Sequence, residues 1–407
     1  MEKIDGGVTS AKGFKASSCA AGIKYKDRDD MALVYSEFPA VVAGTFTTNV
    51  VKAAPVKWDI KIVKEKNDVR AVVLNSGIAN ACTGTVGDKS NEMMATSVAQ
   101  ALGVDKMDVL TASTGVIGMQ LPVDKITHGA KLLSQALSDS RQAAHSAACA
   151  IMTTDTICKE CAVKVTLSGK EVTIGGMSKG SGMIHPNMAT MLSVVTTDAA
   201  ISKEMLQKIV SEKVAVTFNM ISVDRDTSTN DSFMVMANGQ ADNDVITIEN
   251  EDYKVFSDAL EYVMTTLAKI MASDGEGATK LFETKVINAA SKEDAVVLAK
   301  SVITSNLVKT AVFGADANWG RILCAMGYSG INFDPDNVDL YLESKAGSIK
   351  LFENGMGTDF SEELAKKILL EDEVRAIADM KCGTYSATAW GCDLTYDYVK
   401  INGDYRS

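Results

Sequence analysis

The stretch that decides the fold lies near the middle of the chain and reads Met177-Ser178-Lys179-Gly180-Ser181-Gly182-Met183-Ile184-His185-Pro186-Asn187-Met188-Ala189-Thr190-Met191-Leu192. Its glycines permit backbone conformations that are closed to other residues, and its Pro-Asn pair favours a turn. The small side chain of Ala189 leaves the peptide bond before Thr190 sterically open. These features are what a chain needs if Thr190 is to attack the carbonyl of its own neighbour. Once freed, Thr190 carries its own base, because the new α-amine lies beside the hydroxyl.

The same residues have two other interpretations. A glycine-rich loop before a strand is usually a plain turn, and Thr190 is then an ordinary strand residue. A phosphate-binding loop is disfavoured, because the lysine of the P-loop motif follows the glycines, whereas Lys179 precedes Gly180 and Gly182. The residues alone leave the choice between a turn and a self-cleaving site open.

The composition is typical of a globular protein. The chain has 407 residues, 46% hydrophobic and 23% charged, and this length suffices for two or three cores. The net charge of -11 gives no attraction to nucleic acid or to anionic membranes, and neither is expected as a partner. The first residues lack the apolar core of a signal peptide, and no apolar run reaches the roughly 20 residues that span a bilayer. A cytoplasmic location is therefore expected.

The eight cysteines are scattered, and in the cytosol we expect them to be reduced thiols. Cys158 and Cys161 have the spacing of a metal or redox pair. They lead, however, into a strand-like alternation, and residues three apart in a strand point to opposite faces. Because the chain has only three histidines, we expect neither a metal site nor a histidine-based catalytic triad.

Helical and strand patterns alternate along the chain, which favours an α/β fold of two or more layers. Residues 71–74 predict a short buried strand, residues 91–102 an amphipathic helix, and residues 162–167 an alternating strand. Residues 253–271 give the clearest helix, because their apolar side chains recur at helical spacing. The glycines that follow end this helix and present Glu276 on a loop. A late strand is predicted by the alternation of Leu394, Tyr396 and Tyr398.

Further motifs follow one another from the first residues to the last. They are Gly6-Gly7-Val8-Thr9, Lys12-Gly13-Phe14, Phe46-Thr47-Thr48-Asn49, Lys52-Ala53-Ala54-Pro55-Val56, Asn75-Ser76-Gly77, Asn80-Ala81-Cys82-Thr83-Gly84, Ser113-Thr114-Gly115-Val116-Ile117-Gly118, Asp226-Thr227-Ser228-Thr229-Asn230-Asp231, Asp274-Gly275-Glu276-Gly277-Ala278-Thr279-Lys280, Asn318-Trp319-Gly320-Arg321-Ile322 and Ile401-Asn402-Gly403-Asp404-Tyr405-Arg406-Ser407. In content and order, these motifs and residues 177–192 resemble the ornithine acetyltransferase family. Its members are also called the glutamate N-acetyltransferases of arginine biosynthesis.

The resemblance implies a fold and a maturation step. The implied fold is an α/β/β/α layered sandwich of the self-cleaving N-terminal-nucleophile type, with a smaller domain in the C-terminal part. The implied maturation is scission between Ala189 and Thr190. This step divides the precursor into an α chain of residues 1–189 and a β chain of residues 190–407.

The resemblance also assigns roles to individual residues. Thr190 becomes the catalytic nucleophile, and Thr114 and Gly115 become the oxyanion hole. Cation and amide donors suit a substrate carboxylate, and an acidic group suits an ammonium. The implied substrate-binding residues are Thr153, Lys179, Thr190, Glu276, Asn402 and Ser407. At the first of these the match is less distinct, because the alternatives Thr154 and Thr156 are near neighbours.

The implied reaction moves an acetyl group from N-acetylornithine to glutamate by a ping-pong mechanism through an acetyl-Thr190 intermediate. No cofactor is implied, and acetyl-CoA is a candidate second acetyl donor that no motif in the chain decides. The implied assembly is a heterotetramer of two α and two β chains. Two alternatives belong to other classes: a self-processed amidohydrolase of the aminopeptidase type, and a non-catalytic small-molecule binding protein whose chain stays intact.

Two positions depart from the family pattern. Arg225 stands where glycine is expected in many relatives, and Ile78 stands where a polar residue is expected. We expect neither residue to touch the assigned catalytic residues. The two departures therefore bear on substrate preference rather than on the class of reaction.

Overall fold

The structure, a computed structural model, describes residues 1–185 and 191–404. The strands in these ranges are β1 (Glu2–Ile4), β2 (Phe14–Cys19), β3 (Met31–Phe46), β4 (Asp68–Asn75), β5 (Val109–Ser113), β6 (Lys159–Leu167), β7 (Lys170–Lys179), β8 (Leu192–Thr197), β9 (Ile221–Ser222), β10 (Ser232–Ala237), β11 (Leu281–Ala289), β12 (Asp339–Ser344), β13 (Gly347–Glu353), β14 (Met356–Gly357), β15 (Glu373–Asp379) and β16 (Tyr385–Cys392). The helices are α1 (Ala54–Glu65), α2 (Gly84–Leu102), α3 (Val123–Gln135), α4 (Arg141–Ala150), α5 (Lys203–Val216), α6 (Glu251–Ser273), α7 (Lys292–Ile303), α8 (Asn306–Phe313), α9 (Trp319–Gly327), α10 (Glu362–Leu369) and α11 (Tyr396–Gly403).

The described residues form two compact units. The first unit holds residues 1–180, 191–219 and 227–268, and the second holds residues 181–185, 220–226 and 269–404. Helix α6 therefore begins in the first unit and ends in the second. The expected division into α and β chains depends on the bond between Ala189 and Thr190, which lies outside the described residues.

Nine of the described strands form the sheet of the first unit, in the order β1-β6-β7-β8-β10-β3-β4-β5 with β2 paired to β3. Strand β4 carries a nearly continuous apolar run, which is typical of a strand that is buried on both faces. Val72 and Leu74 pack in one hydrophobic cluster, and Ala71 and Val73 pack in another. Because alternate residues of a strand point to opposite faces, the sheet has a core on each side.

Helices of the first unit supply the other walls of these cores. Met94 and Val98 of α2 join the cluster of Ala71 and Val73, whereas the alanines of α4 join the cluster of Val72 and Leu74. Helix α4 begins after Ser140, whose hydroxyl accepts a hydrogen bond from the backbone N–H of Ala143 and so caps the helix. The loop after α4 carries residues 151–158.

Two strand pairs of the first unit position the candidate site. Strands β4 and β5 are parallel, with Asn75 opposite Ser113 at their carboxyl ends. Strands β7 and β8 are antiparallel, with Lys179 opposite Leu192. The motif residues that follow these positions therefore lie in loops just beyond the ends of strands.

Seven of the described strands form the sheet of the second unit, in the order β14-β13-β12-β15-β11-β16-β9. Strand β11 is parallel to β15 and antiparallel to β16, and α7 packs against β11 and β16. The predicted mixed α/β fold, with two sheets and a smaller C-terminal unit, is confirmed. Among the described residues no single helix is long and apolar enough to span a membrane, although the bent pair α7 and α8 satisfies length and composition alone.

Most of the predicted elements are present. The strands at residues 71–74 and 162–167 belong to β4 and β6, and the predicted helices belong to α2 and α6. The late strand is wrong, because residues 396–403 form the helix α11. Tyr396 is 85% exposed, so the three alternating residues that suggested the strand do not mark a buried face.

The expectation of eight reduced thiols is also wrong for one pair. Cys149, in the last turn of α4, and Cys158, just before β6, form a disulfide. Cys161 lies within β6 and is a free thiol. The partner of Cys158 is therefore nine residues before it rather than three residues after it, because the loop after α4 returns the chain to the end of that helix.

Candidate functional site

The ends of β4 and β5 hold the predicted oxyanion residues Thr114 and Gly115. The Ser113 hydroxyl donates to Oδ1 of Asn75 at 2.6 Å, and the backbone N–H of Thr114 donates to the carbonyl of Asn75 at 3.0 Å. Asn230 donates from Nδ2 to the carbonyl oxygen of Ser113 at 2.8 Å. The two asparagines are buried and hold this turn in place. The sequence motifs contain both, but sequence analysis assigned no role to them.

Gly115 lies where no larger residue fits. Its φ is +128°, and a Cβ at this position would come within 2.2 Å of the backbone carbon of Gly77. Ile78 forms backbone bridges with Thr114 and Val116. The expectation that Ile78 stays away from the assigned catalytic residues is therefore wrong. Its peptide group supports the turn of Thr114, whichever side chain stands there.

Lys179, the last residue of β7, is 7% exposed. Its Nζ lies 3.4 Å from the Thr114 hydroxyl and 3.8 Å from Oδ2 of Asp155. A lysine next to a glycine-rich loop is ordinarily solvated, but the side chain of Lys179 is buried. The structure thus brings Thr114 and Lys179, two of the predicted site residues, into contact.

Asp155 is the residue of this region that sequence analysis missed. Its Oδ1 accepts from Nζ of the fully buried Lys159 at 2.7 Å and from the backbone N–H of Gly180 at 2.7 Å. Burial alone raises the pKa of this carboxyl, but the charges of Lys179 and Lys159 and the donated hydrogen bonds outweigh burial and hold the pKa well below its ordinary value. Asp155 is therefore an anion at neutral pH that holds two lysines. A lysine at an inward position of a strand, as at Lys159, is the signal that an acid must be near.

The loop that contains Asp155 also carries the three candidate threonines. The backbone N–H of Thr153 donates to Oδ2 of Asp155 at 3.0 Å, which is the oxygen that faces Lys179. Thr153 and Thr154 are partly buried, and Thr156 is exposed. The backbone of Thr153 is thus tied directly to the carboxylate beside Lys179.

In the second unit, Glu276 follows α6 on the predicted loop. It is only 6% exposed, and its backbone N–H donates to the carbonyl of Ser181 at 3.0 Å. A Cβ added to Gly182 would come within 2.3 Å of the Glu276 carboxyl group, so only glycine allows this close approach. Glu276 is a buried acid rather than a solvated loop residue.

Asn402 of α11 is the side chain that binds the Glu276 carboxylate. Its Nδ2 donates to Oε2 of Glu276 at 2.7 Å and to the carbonyl of Tyr398 at 3.1 Å. Burial, together with the negative charges of Asp224 and Glu276, raises the pKa of the Tyr398 hydroxyl. Glu276 and Asn402, two of the predicted substrate-binding residues, are therefore in direct contact.

The second unit also contains residues that flank the central motif. Asp224 accepts hydrogen bonds from the backbone N–H groups of Met183 and Ile184, at 2.6 and 2.8 Å. Arg225 has a φ of +71°, which is a conformation that favours glycine and accounts for the expectation of glycine there. Burial lowers the pKa of His185 to about 4, and the positive charges of Lys300 and Arg225 add to this effect.

Three predicted site residues lie outside the described residues. They are Ala189, Thr190 and Ser407. The described part of the prediction consists of Thr114, Gly115, Thr153 and Lys179 in the first unit and of Glu276 and Asn402 in the second. The roles assigned to all of them stay predictions.

Comparison with known proteins gives consistent matches. The model of the ArgJ family matches residues 15–407. The chain is 54% identical over 407 residues to the arginine biosynthesis bifunctional protein ArgJ of Caldanaerobacter subterraneus subsp. tengcongensis, with 100% of both chains covered. It is 47% identical over 405 residues to the protein of the same name from Bacillus subtilis, with 100% of this chain and 98% of the relative covered. Among solved structures, arginine biosynthesis bifunctional protein argJ of Bacillus halodurans matches 51% of this chain and 96% of its own, at 46% identity and a TM-score of 0.49.

Proposed function

The chain belongs to the ArgJ family, and from this premise we propose that it transfers the acetyl group of N-acetylornithine to glutamate through an acetyl ester on Thr190. The observation that carries the proposal is the contact between Lys179 and the Thr114 hydroxyl. Lys179 is also opposite Leu192 in the β7–β8 pair.

We propose that maturation makes the nucleophile. The Thr190 hydroxyl attacks the carbonyl carbon of Ala189, the peptide C–N bond breaks, and the Ala189 acyl group passes to the threonine oxygen. Water then hydrolyses this ester, which releases the Ala189 carboxylate and the Thr190 hydroxyl. The new α-amine has an ordinary pKa of about 7.7–8.0, so that a good fraction is free base near neutral pH and can accept a proton.

In the proposed transfer, the Thr190 hydroxyl attacks the acetyl carbonyl and its proton passes to the α-amine. The Thr114 hydroxyl and the Gly115 N–H donate to the oxyanion, and one such donor typically contributes about 3–4 kcal/mol in the transition state. The intermediate collapses, the C–N bond breaks, and the proton returns to the leaving amine of ornithine. The amine of glutamate then attacks the ester, and the same groups act in reverse order.

The remaining assignments concern substrate binding. Lys179 supplies a cation for a substrate carboxylate, and the Thr153 hydroxyl supplies a donor in the same unit. The Glu276 carboxylate supplies the anion for an ammonium group, with Asn402 as a neighbouring polar group, and Ser407 is proposed as a further binding residue. Support for the acidic role comes from the surroundings of Glu276, whose buried carboxyl group accepts a hydrogen bond from the amide of Asn402.

The proposal extends to a second donor, to assembly and to location. Acetyl-CoA is proposed as an alternative donor that charges the same threonine, in keeping with the word bifunctional in the names of the relatives. The two chains are proposed to form a heterotetramer of two α and two β chains in the cytoplasm. Light scattering of the purified protein should give twice the mass of one precursor, and a particle of half that mass would count against the assembly.

The decisive experiment is rapid-quench mass spectrometry of the purified enzyme. With N-acetylornithine alone, the fragment that begins at Thr190 should gain one acetyl group, and glutamate should remove it. Thr190→Ala should remain a single folded chain without transfer, whereas Thr190→Ser should still cleave. An active enzyme that remains one chain refutes the maturation step. Discharge by water at the same rate as by glutamate would identify a hydrolase instead.

A further inference from the structure

The end of α4 contains a cluster of metal-binding side chains that the proposed acetyl transfer does not use. His145 and Cys149 lie one helical turn apart on α4, and Cys158 returns to them across the loop. Their ligand atoms all lie within 4.8 Å of one another. The His145 ring is exposed, whereas the two cysteines are half-buried, so an ion can enter from solvent.

The spacing of His145 and Cys149 suits zinc, whereas the two sulfur atoms are bonded to each other in the disulfide and must move apart on reduction. Nε2 of His145 lies 3.6 Å from Sγ of Cys149. In tetrahedral coordination, a Zn–S bond of about 2.3 Å and a Zn–N bond of about 2.0–2.1 Å place the two ligand atoms about 3.6 Å apart. The imidazole nitrogen and the sulfur are therefore already separated as zinc requires.

The histidine is also oriented as a ligand. Nδ1 of His145 lies 2.8 Å from Oε2 of Glu160, and Arg141 donates to the other oxygen of that carboxylate at 2.7 Å. The Glu160 side chain is 6% exposed. Metal-bound histidines typically donate their second ring nitrogen to a carboxylate, which fixes the ring and its tautomer. This hydrogen bond leaves Nε2 as the nitrogen that faces Cys149.

We propose that His145, Cys149 and Cys158 bind one Zn²⁺ ion when the Cys149–Cys158 disulfide is reduced. Reduction by a dithiol breaks the S–S bond with two electrons and two protons, and the reductant is oxidised to its own disulfide. Zinc then displaces the two thiol protons and is bound by two thiolates and one imidazole, with the fourth position open to water or to the thioether of Met152, whose Sδ lies 3.4 Å from Sγ of Cys158.

The site has a structural consequence for the adjoining loop. Residues 149–158 contain Thr153 and Asp155, and the disulfide fastens both ends of this segment. In a reducing compartment the disulfide does not persist. Zinc joins the same two sulfur atoms and the same helix, so that the loop stays closed whether the thiols are oxidised or bound to metal.

The test is a cobalt titration of the full-length protein, reduced and then freed of reductant under anaerobic conditions. The reduced protein should bind one equivalent of Co²⁺ with sulfur-to-cobalt charge-transfer absorption and tetrahedral d–d bands, and one equivalent of Zn²⁺ should abolish both. His145→Ala and Cys149→Ser should weaken binding at least tenfold. Glu160→Gln should weaken it by about 10- to 100-fold. Protein oxidised with diamide should show no such bands.

Cys382→Ser is the matched control, because Cys382 is an exposed free thiol of the second unit. It should leave the cobalt spectrum unchanged. Since His145 is at the surface, His145→Ala removes a ligand without opening a core, and a circular dichroism spectrum identical to that of the parent will show that it folds. Absence of the bands in the reduced parent, or bands that persist in Cys149→Ser and disappear in Cys382→Ser, overturns the proposal.

Discussion

Asp155 in the first unit and Glu276 in the second are both loop carboxylates with less than a tenth of their surface exposed, yet their partners differ. Asp155 accepts from the ammonium of Lys159 and lies beside that of Lys179. The Glu276 carboxylate accepts from the neutral amide of Asn402. Within the described residues, the charge of Asp155 is therefore compensated by the protein, and that of Glu276 is only solvated by an amide.

This difference teaches how to tell a structural acid from a ligand-binding acid. A buried carboxylate that already accepts from an ammonium has little left for a ligand, and its removal destabilises the fold because a buried cation loses its partner. A buried carboxylate that accepts only an amide hydrogen bond remains attractive for a cation. Neutralising Asp155 should therefore lower the free energy of unfolding, whereas neutralising Glu276 should weaken substrate binding. The following predictions test that contrast.

The largest effect is expected from Asp155→Asn. The change removes the carboxylate that accepts from the fully buried ammonium of Lys159, and breaking a buried pair in this way costs about 3–5 kcal/mol. Urea unfolding at pH 7 should show this loss in the free energy of unfolding. Because the folded-state pKa of Asp155 is depressed, its contribution is present above the ordinary pKa of about 3.9 and is lost as the pH falls through the folded-state value.

A double variant provides the control for this prediction. Asp155→Asn combined with Lys159→Met removes both charges and keeps the volume of the lysine stem. It should recover a large part of the lost stability, because the buried ammonium of Lys159 is then absent as well and only Lys179 still loses the carboxylate beside it. If the double variant is as unstable as the single one, the structural role of Asp155 is not that of a counter-ion.

The second effect is expected from Glu276→Gln, and it should appear in substrate binding rather than in stability. Glutamine keeps an oxygen that can accept from Asn402 but loses the charge. A hydrogen bond to a charged group is worth about 1.5–3 kcal/mol, so KM for N-acetylornithine should rise by about ten- to a hundredfold. Unfolding should change by less than about 1 kcal/mol.

Glu283→Gln is the matched control for Glu276→Gln. Glu283 is 8% exposed in the same unit but is bound by Arg375 and by the indole N–H of Trp390. Its neutralisation should lower stability and leave KM unchanged. An unchanged KM in Glu276→Gln, or a raised KM in Glu283→Gln, would break the contrast between paired and unpaired acids.

A smaller effect on KM should show which of the three threonines near Asp155 binds the substrate. Thr153→Val removes one neutral hydroxyl, and a neutral hydrogen bond contributes about 0.5–1.5 kcal/mol. KM should therefore rise about three- to tenfold for Thr153→Val and stay within twofold for Thr154→Val and Thr156→Val. The opposite order would assign the donor to a different threonine of the loop.

The smallest effect is expected from His185, a buried group that is neutral rather than charged at pH 7. Its folded-state pKa of about 4 lies below the ordinary value of about 6.5, so the unfolded chain binds the proton more tightly. Stability should therefore decline as the pH falls from 6.5 to 4, and less so in His185→Gln. Urea unfolding of both proteins at pH 7 and pH 5 would show the difference. An equal loss in the free energy of unfolding between these two pH values would contradict the prediction.

Sequence reasoning succeeded where a signal is local or where many motifs agree. The helix at residues 251–273 repeats its apolar residues over six turns, whereas three alternating residues near Tyr396 could not distinguish a strand from a helix. The motif residues Glu276 and Asn402 could both be assigned to the site by resemblance, although their contact was not predicted. The role of Asp155 and the disulfide could not be predicted. Their partners depend on how the loop after α4 returns to a strand or a helix end, and the spacing of residues in the sequence does not determine that course.

The order of strands in the first sheet has a consequence for a protein that is cut between β7 and β8. Strands β8 and β10 lie side by side in the middle of that sheet, flanked by β7 on one side and β3 on the other. If the chain is severed at Ala189, two of the central strands belong to one polypeptide and their outer neighbours belong to the other. The second piece then holds the whole second sheet but only the strand pair β8–β10 of the first sheet, and the first piece holds that sheet as two separate blocks of strands. Two ladders of backbone hydrogen bonds, β7 with β8 and β3 with β10, join the pieces. The mature protein would behave as a complemented split protein, and the first piece should not form its part of the sheet when it is expressed alone.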